Sequence, residues 1–279
     1  MIIWLASYPK SGNTWVRAMI ASLVFTNDGK FDFELLKNIQ QFPVTSQFKT
    51  LTKNYDNLDE IKKHWIDAQT LINLNNKINF LKTHNINCKI NNFYFTNKEN
   101  TLATIYIIRD PRNLVNSIAN HYSKTIEESK NFILSPRITI GHNKFKNNNQ
   151  KVVPVLLGTW GDHYKFWKAN NENFLLIKYE NLIKNTELEL NRIINFLKKF
   201  MSIQTDLNKN KNIIQTTSFE NLRYLEDEGK FDENAFDSKQ KKKFFYLGPK
   251  NNWKDNLDNK TIGEIEKTFS NEMKSLGYI

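Results

Sequence analysis

Short apolar runs alternate along the chain with longer amphipathic stretches. Ile2-Ile3-Trp4-Leu5-Ala6 is continuously apolar, as a strand buried on both faces requires. After a polar interruption, Val16, Met19, Ile20, Leu23 and Val24 recur at the i, i+3, i+4, i+7, i+8 spacing of a helix with one apolar face. Phe80-Leu81 starts a short strand that leads into Lys82-Thr83-His84-Asn85. Thr101–Ile108 is a second buried strand, ending in Arg109-Asp110-Pro111-Arg112, and Leu114, Val115, Ile118 and Tyr122 mark one face of the helix behind it. The pattern further predicts a polar helix within 54–76, helices over 156–168, 186–200, 208–226 and 260–276, and a strand with a turn over 173–182. Residues 124–153 are polar, dense in Asn and Lys at 143–151, and are expected as a long mobile excursion.

Strands that alternate with helices predict an α/β fold with a parallel sheet covered by helices on both faces. Neither an internal repeat nor a linker interrupts it, so one domain is expected over 1–279. Ligands of such folds sit at the carboxyl ends of the strands. The loops 7–15, 82–85, 109–113 and 179–181 fall there.

The loop Ser7-Tyr8-Pro9-Lys10-Ser11-Gly12-Asn13-Thr14-Trp15 joins a strand to a helix. Unpaired N–H groups at the helix start favour an anion, so Lys10, Ser11, Gly12, Asn13 and Thr14 read as a phosphate cradle, with Trp15 near a flat ring. The alternative is a capped helix start with Pro9 and Gly12 as punctuation. The triphosphate-loop order is absent, because Lys10 precedes Gly12. Arg109 and Ser117 could grip a second phosphate, or an arginine could simply pair with Asp110. His84 at a strand end is either structural or a general base. Trp160, His163 and Trp167 share one helix face, which fits packing better than a site.

With 279 residues, 39% hydrophobic, a sizeable core is available. No apolar run is long enough to span a bilayer, and a first strand at residue 2 leaves no room for a secretory leader. One cysteine, Cys88, excludes an internal disulfide and fits a reducing compartment or indifference to redox; a cytoplasmic location is expected from the short chain without a membrane anchor. The net charge of +11 suits an anionic ligand, but a Lys-, Asn- and Ile-rich composition explains it as well. Lys239-Gln240-Lys241-Lys242-Lys243 reads as a solvated face, and no nucleic-acid motif is present. Phe31, Phe33, Phe42 and Phe48 could wall an apolar pocket or be ordinary packing.

Together these segments resemble the sulfotransferases that use 3′-phosphoadenosine 5′-phosphosulfate (PAPS). The family loop YPKSGTTW is Tyr8–Trp15 here, with Asn13 for a threonine. Its strand-end arginine and later serine match Arg109 and Ser117, and its KTH is Lys82-Thr83-His84. The family's GSWxxHVxxW is similar to Gly158–Trp167, its YED to Tyr179-Glu180-Asn181 and its TSF to Thr217-Ser218-Phe219. The match runs from residue 4 to the C-terminus. It implies a single α/β domain with a central, mostly parallel sheet flanked by helices, in a three-layer arrangement related to P-loop nucleotide binders.

The resemblance implies transfer of a sulfuryl group to a hydroxyl or amine, in line, with release of 3′-phosphoadenosine 5′-phosphate (PAP) and no metal. By this resemblance His84 is the general base, Lys10 stabilises the leaving bridging oxygen, Lys82 meets the sulfuryl oxygens, and Arg109 and Ser117 hold the 3′-phosphate. Ser11, Gly12, Asn13, Thr14, Trp15, Tyr179, Thr217, Phe219 and Gly248 complete the cofactor site. The family segment RKGxxGDWK is Tyr246–Lys254 here, so its Arg-Lys pair is replaced by Tyr246-Leu247, and Lys250 is expected to supply the lost charge. The dimer motif KxxxTVxxxE is only partly kept, in Thr261-Ile262 and Glu266. A small-molecule or glycan acceptor is expected, with no nucleic-acid partner and no membrane span. A PAP-binding protein without turnover and a nucleotide kinase of related fold are the competing expectations.

Overall fold

The computed structural model describes residues 1–140, 153–231 and 243–279. The chain runs β1 (Ile2–Ser7), α1 (Asn13–Phe25), β2 (Gln40–Gln41), α2 (Leu58–Ile61), α3 (Trp65–Asn73), β3 (Asn79–Thr83), β4 (Lys89–Ile90), β5 (Phe93–Tyr94), β6 (Thr101–Ile108), α4 (Pro111–Tyr122), α5 (Ile126–Leu134), β7 (Thr139–Ile140) and β8 (Val155–Leu156). It continues with α6 (Trp160–Ala169), β9 (Phe174–Lys178), α7 (Tyr179–Lys184), α8 (Thr186–Leu197), α9 (Leu207–Thr216), α10 (Phe219–Asp227), α11 (Asn259–Thr268) and α12 (Ser270–Ser275). The fold is α/β with a central sheet in the order β2-β3-β1-β6-β9, in which β1 and β2 both run parallel to β3.

Two compact units divide the chain. The first comprises 1–8, 40–106 and 134–176, and the second 9–39, 107–133 and 177–279. In the first, the fully buried Trp4 ring lies 5.6 Å from Phe42, 5.6 Å from Phe95 and 5.9 Å from Trp167, and its Nε1 donates to Thr101 Oγ1 at 2.9 Å. Leu5 registers with Lys82 and Ala6 with Thr83, so β1 and β3 end side by side. In the second unit α1 is buried from Asn13 to Leu23, on all its faces rather than the one expected. Of its polar residues, Arg17 donates from Nη2 to the Leu36 carbonyl at 2.7 Å.

Several boundaries differ from expectation, each for a local reason. The excursion 124–153 begins with α5, which buries Phe132 and Ile133, and Lys130 there pairs with Glu127 and Glu264. The Asn/Lys tract 143–151 and positions 239–242 of the lysine run lie outside the described residues. The helix expected from 156 starts at Trp160, because Gly158 turns with φ +66° and Thr159 caps it by accepting from Asp162 N at 3.0 Å. The stretch 208–226 is two helices: α9 ends at Thr216, and Ser218 Oγ caps α10 from Asn221 N at 3.2 Å. The last helix breaks at Phe269, the polar helix 54–76 is α2 and α3 joined by a 3-10 turn, and the turn after β9 is α7. Phe42 and Phe48 are core rings of the first unit, while Phe31 and Phe33 pack in the second with Phe231 and Phe245. Among the described residues no helix is long and apolar enough to cross a membrane.

Candidate active site

In the second unit the loop after β1 turns sharply. Lys10 and Gly12 both take positive φ, +66° and +97°, and α1 begins at Asn13. Gly12 is required twice over: a Cβ there would stand 2.6 Å from Cδ2 of Tyr179. Tyr179 opens α7, and its buried ring carries the Arg109 guanidinium 4.2 Å above it and the Trp15 ring 5.9 Å away. Burial raises its phenol above the ordinary tyrosine range. Arg109 leaves the end of β6 and donates from Nη1 to the Lys10 carbonyl and to Ser117 Oγ, each at 3.1 Å. Lys10 Nζ rests 3.6 Å from the centre of the Phe244 ring.

Three buried polar atoms around this loop, Ser11 Oγ, Trp15 Nε1 and Arg109 Nε, have no hydrogen-bond partner among the described residues. Leaving such atoms unsatisfied costs roughly 1–3 kcal/mol each, so polar atoms of a bound group would be favoured there. The alternative role for an arginine here, pairing with Asp110, belongs to Arg112. Its guanidinium meets Asp110 at 2.6 Å and Glu266 at 2.5 Å, and Trp253 lies 4.0 Å from it. Glu266, the last residue of the partial dimer motif, is thus engaged within the chain.

The segment 244–253 closes on α4 and α10. Glu226 accepts from the backbone N–H groups of Phe244 and Phe245 at 2.5 and 3.0 Å. Gly248 has φ +52°, and a Cβ there would be 2.3 Å from Cε2 of Phe219. Thr217 is fully buried, and its hydroxyl donates to the Ile213 carbonyl at 2.7 Å, so its side chain ends α9. Lys250 is exposed. Its neighbour Asn251 is buried instead and reaches Ser117 Oγ at 3.2 Å, a contact that sequence reasoning missed. Its one sequence signal is its place in the altered segment before Trp253.

In the first unit Lys82 and Thr83 are buried at the end of β3. His84 Nδ1 lies 2.8 Å from the Ser7 carbonyl oxygen, which can only accept. The proton of the neutral ring is therefore on Nδ1, and the lone pair on Nε2. Helix α6 holds the backbone behind it: His163 Nε2 donates to the His84 carbonyl at 3.1 Å and Trp167 Nε1 to the Asn85 carbonyl at 2.9 Å. His163 Nδ1 then accepts from the Tyr106 hydroxyl at 2.8 Å. Burial drives its pKa down to about 3, so the ring is neutral.

Residues 2–277 match the sulfotransferase domain. The chain belongs to this family. Cytosolic sulfotransferase 12 of Arabidopsis thaliana is 25% identical over 297 residues, covering 99% of this chain and 78% of that relative. Flavonol 3-sulfotransferase of Flaveria bidentis is 23% identical, covering 99% of this chain and 83% of its own. Among solved structures, mouse sulfotransferase SULT7A1 complexed with PAP superposes with a TM-score of 0.59 at 19% identity, over 98% of this chain and 84% of that one. Retinol dehydratase in complex with androsterone and PAP gives 0.60 at 17% identity, over 98% and 80%. The sulfotransferase fold thus extends over both units, and family membership sets aside the nucleotide kinase.

Proposed function

We propose that this sulfotransferase uses PAPS, moves its sulfuryl group to a hydroxyl or amine of a small-molecule or glycan acceptor, and releases PAP. The observation that carries this is the trio of buried, partnerless polar atoms at the 7–15 loop and Arg109, which suits phosphate oxygens. When bound, PAPS supplies an activated sulfuryl group on a 5′-phosphate. Ser11, Gly12, Asn13, Thr14 and Trp15 hold that phosphate at the start of α1. Arg109 and Ser117 hold the 3′-phosphate, and Tyr179, Thr217, Phe219, Gly248 and Lys250 complete the nucleotide's surroundings. His84 takes the acceptor proton on Nε2, an effect worth about 10²–10⁴-fold. Lys10 and Lys82 stabilise charge on the bridging and sulfuryl oxygens. Lysine, arginine and backbone N–H groups supply the positive charge, so no metal is called for. One sulfotransferase domain over the chain is supported by the unbroken match across 2–277. A cytoplasmic location is supported by the cytosolic relative in Arabidopsis thaliana.

A thermal-shift panel of PAP, AMP and ATP, each with and without Mg²⁺, tests the proposal. A ligand at about 100 times its Kd adds roughly 2.7 kcal/mol of stability. PAP is expected to raise the melt without Mg²⁺. An ATP shift that needs Mg²⁺, with no shift from PAP, would overturn the proposal. Transfer of label from PAPS to a panel of phenols, flavonols, steroids, amines and sugars separates an enzyme from a protein that only binds PAP.

A further inference from the structure

Ser117 has one hydroxyl proton and two lone pairs. Both lone pairs are used: Arg109 Nη1 donates to Oγ at 3.1 Å and Asn251 Nδ2 at 3.2 Å. Neither donor can accept in return, because a guanidinium and an amide nitrogen offer no lone pair. The Ser117 proton must therefore go to a third atom, and no described residue receives it. Beside the half-buried Ser117, Arg109 Nε carries a buried proton with no partner among the described residues.

Asn251 is locked in the orientation that creates this arrangement. Its Nδ2 also donates to the Asn113 carbonyl at 2.8 Å, and its Oδ1 accepts from Asn116 Nδ2 at 3.4 Å. Turning the amide over would set oxygen against the Asn113 carbonyl and NH₂ against NH₂, so the flip is opposed on both sides. The side chain is only 7% exposed, and Trp253 N donates to Asn113 Oδ1 at 2.9 Å, which pins the same segment to α4. This amide stands in the segment where Tyr246-Leu247 replaces two cations.

We propose that Asn251 is a positioning residue that makes Ser117 an obligatory hydrogen-bond donor to the nucleotide's 3′-phosphate, and so sets the preference for 3′-phosphorylated adenine nucleotides. The proposal rests on the PAPS-dependent function proposed above. A neutral amide here substitutes direction for charge: it fixes where the serine proton points and adds no cation.

Titration of PAP against AMP, which lacks only the 3′-phosphate, tests it. Wild type is expected to prefer PAP. Asn251→Asp puts a carboxylate where the amide was, so it accepts the Ser117 proton and repels the phosphate. It should weaken PAP by about 100-fold and leave AMP within about threefold. Asn251→Ala releases Ser117 and should weaken PAP by about tenfold, again sparing AMP. In a Ser117→Ala background Asn251→Ala should change the PAP-to-AMP ratio no further. Melts establish which variants are folded; should the aspartate variant not fold, the alanine variant and the double mutant carry the test. An unchanged ratio, or an equal fall for PAP and AMP as a merely structural residue would give, overturns the proposal. A wild type indifferent to the 3′-phosphate overturns the PAPS function itself, and this is visible before any substitution is made.

Discussion

At Gly12 a backbone constraint and a steric one coincide. With φ +97°, alanine would pay the left-handed penalty of about 1–2 kcal/mol, and its Cβ would force the Tyr179 ring off the 2.6 Å approach. Gly12→Ala is therefore expected to lower stability by more than that penalty and to weaken PAP at least about tenfold, checked by urea unfolding and by titration. Gly263, inside α11 with open space around it, is the contrast: Gly263→Ala should stabilise by about 0.5–1 kcal/mol. The two sites differ in backbone conformation and in surroundings, neither of which a lone glycine in the sequence reveals. For the charged groups, Lys10→Ala is expected to cost both PAP affinity and rate. His84→Ala should remove turnover and leave PAP affinity nearly intact, because its Nδ1 is bonded to a backbone carbonyl at the end of β1, that of Ser7. Loss of PAP binding in that variant would assign the ring a structural role.

Helix α6 acts as an element, fixing two successive carbonyls behind the strand-end histidine. His163 does so as a neutral ring, with its pKa lowered from 6.5 to about 3 by burial. The sign follows directly: between these values the unfolded chain binds the proton that the folded chain refuses, so stability falls as pH drops through 6.5 toward 3. The expected slope approaches about 1.4 kcal/mol per pH unit from this one group. His163→Gln should be less stable at neutral pH yet show a shallower acid limb in urea titrations between pH 7 and pH 4. At this scale β1 and β6 were legible because a strand buried on both faces is a largely apolar run, and β3 was legible from its Phe80-Leu81 pair. The break between α9 and α10 was not, because the Thr217 and Ser218 hydroxyls that end one helix and start the next interrupt no apolar periodicity. The α6 boundary was missed because Val155 and Leu156 are apolar in either strand or helix.

For the molecule as a whole, legibility follows sequence distance. The loop 7–15, the strand-end Lys82-Thr83-His84 and the Arg109–Ser117 pair each lie within one short stretch of chain at a strand end, so their spacing could be read directly. Asn251 meets Ser117 across 134 positions, and nothing in a linear pattern encodes such a meeting. The net charge of +11 adds a field favourable to a nucleotide anion. Raising NaCl from about 50 to about 500 mM, which shortens screening from roughly 14 to 4 Å, should therefore weaken PAP several-fold, measurable by titration. Cys88, four residues past His84, has a half-buried thiol whose pKa burial pushes up to about 11 from 9.0. That leaves roughly a hundredfold less thiolate near pH 8 than an open cysteine would have. With no other thiol in the chain, the protein carries its own stopwatch: the rate at which a thiol reagent stains Cys88 times the opening of the segment that follows the strand-end histidine.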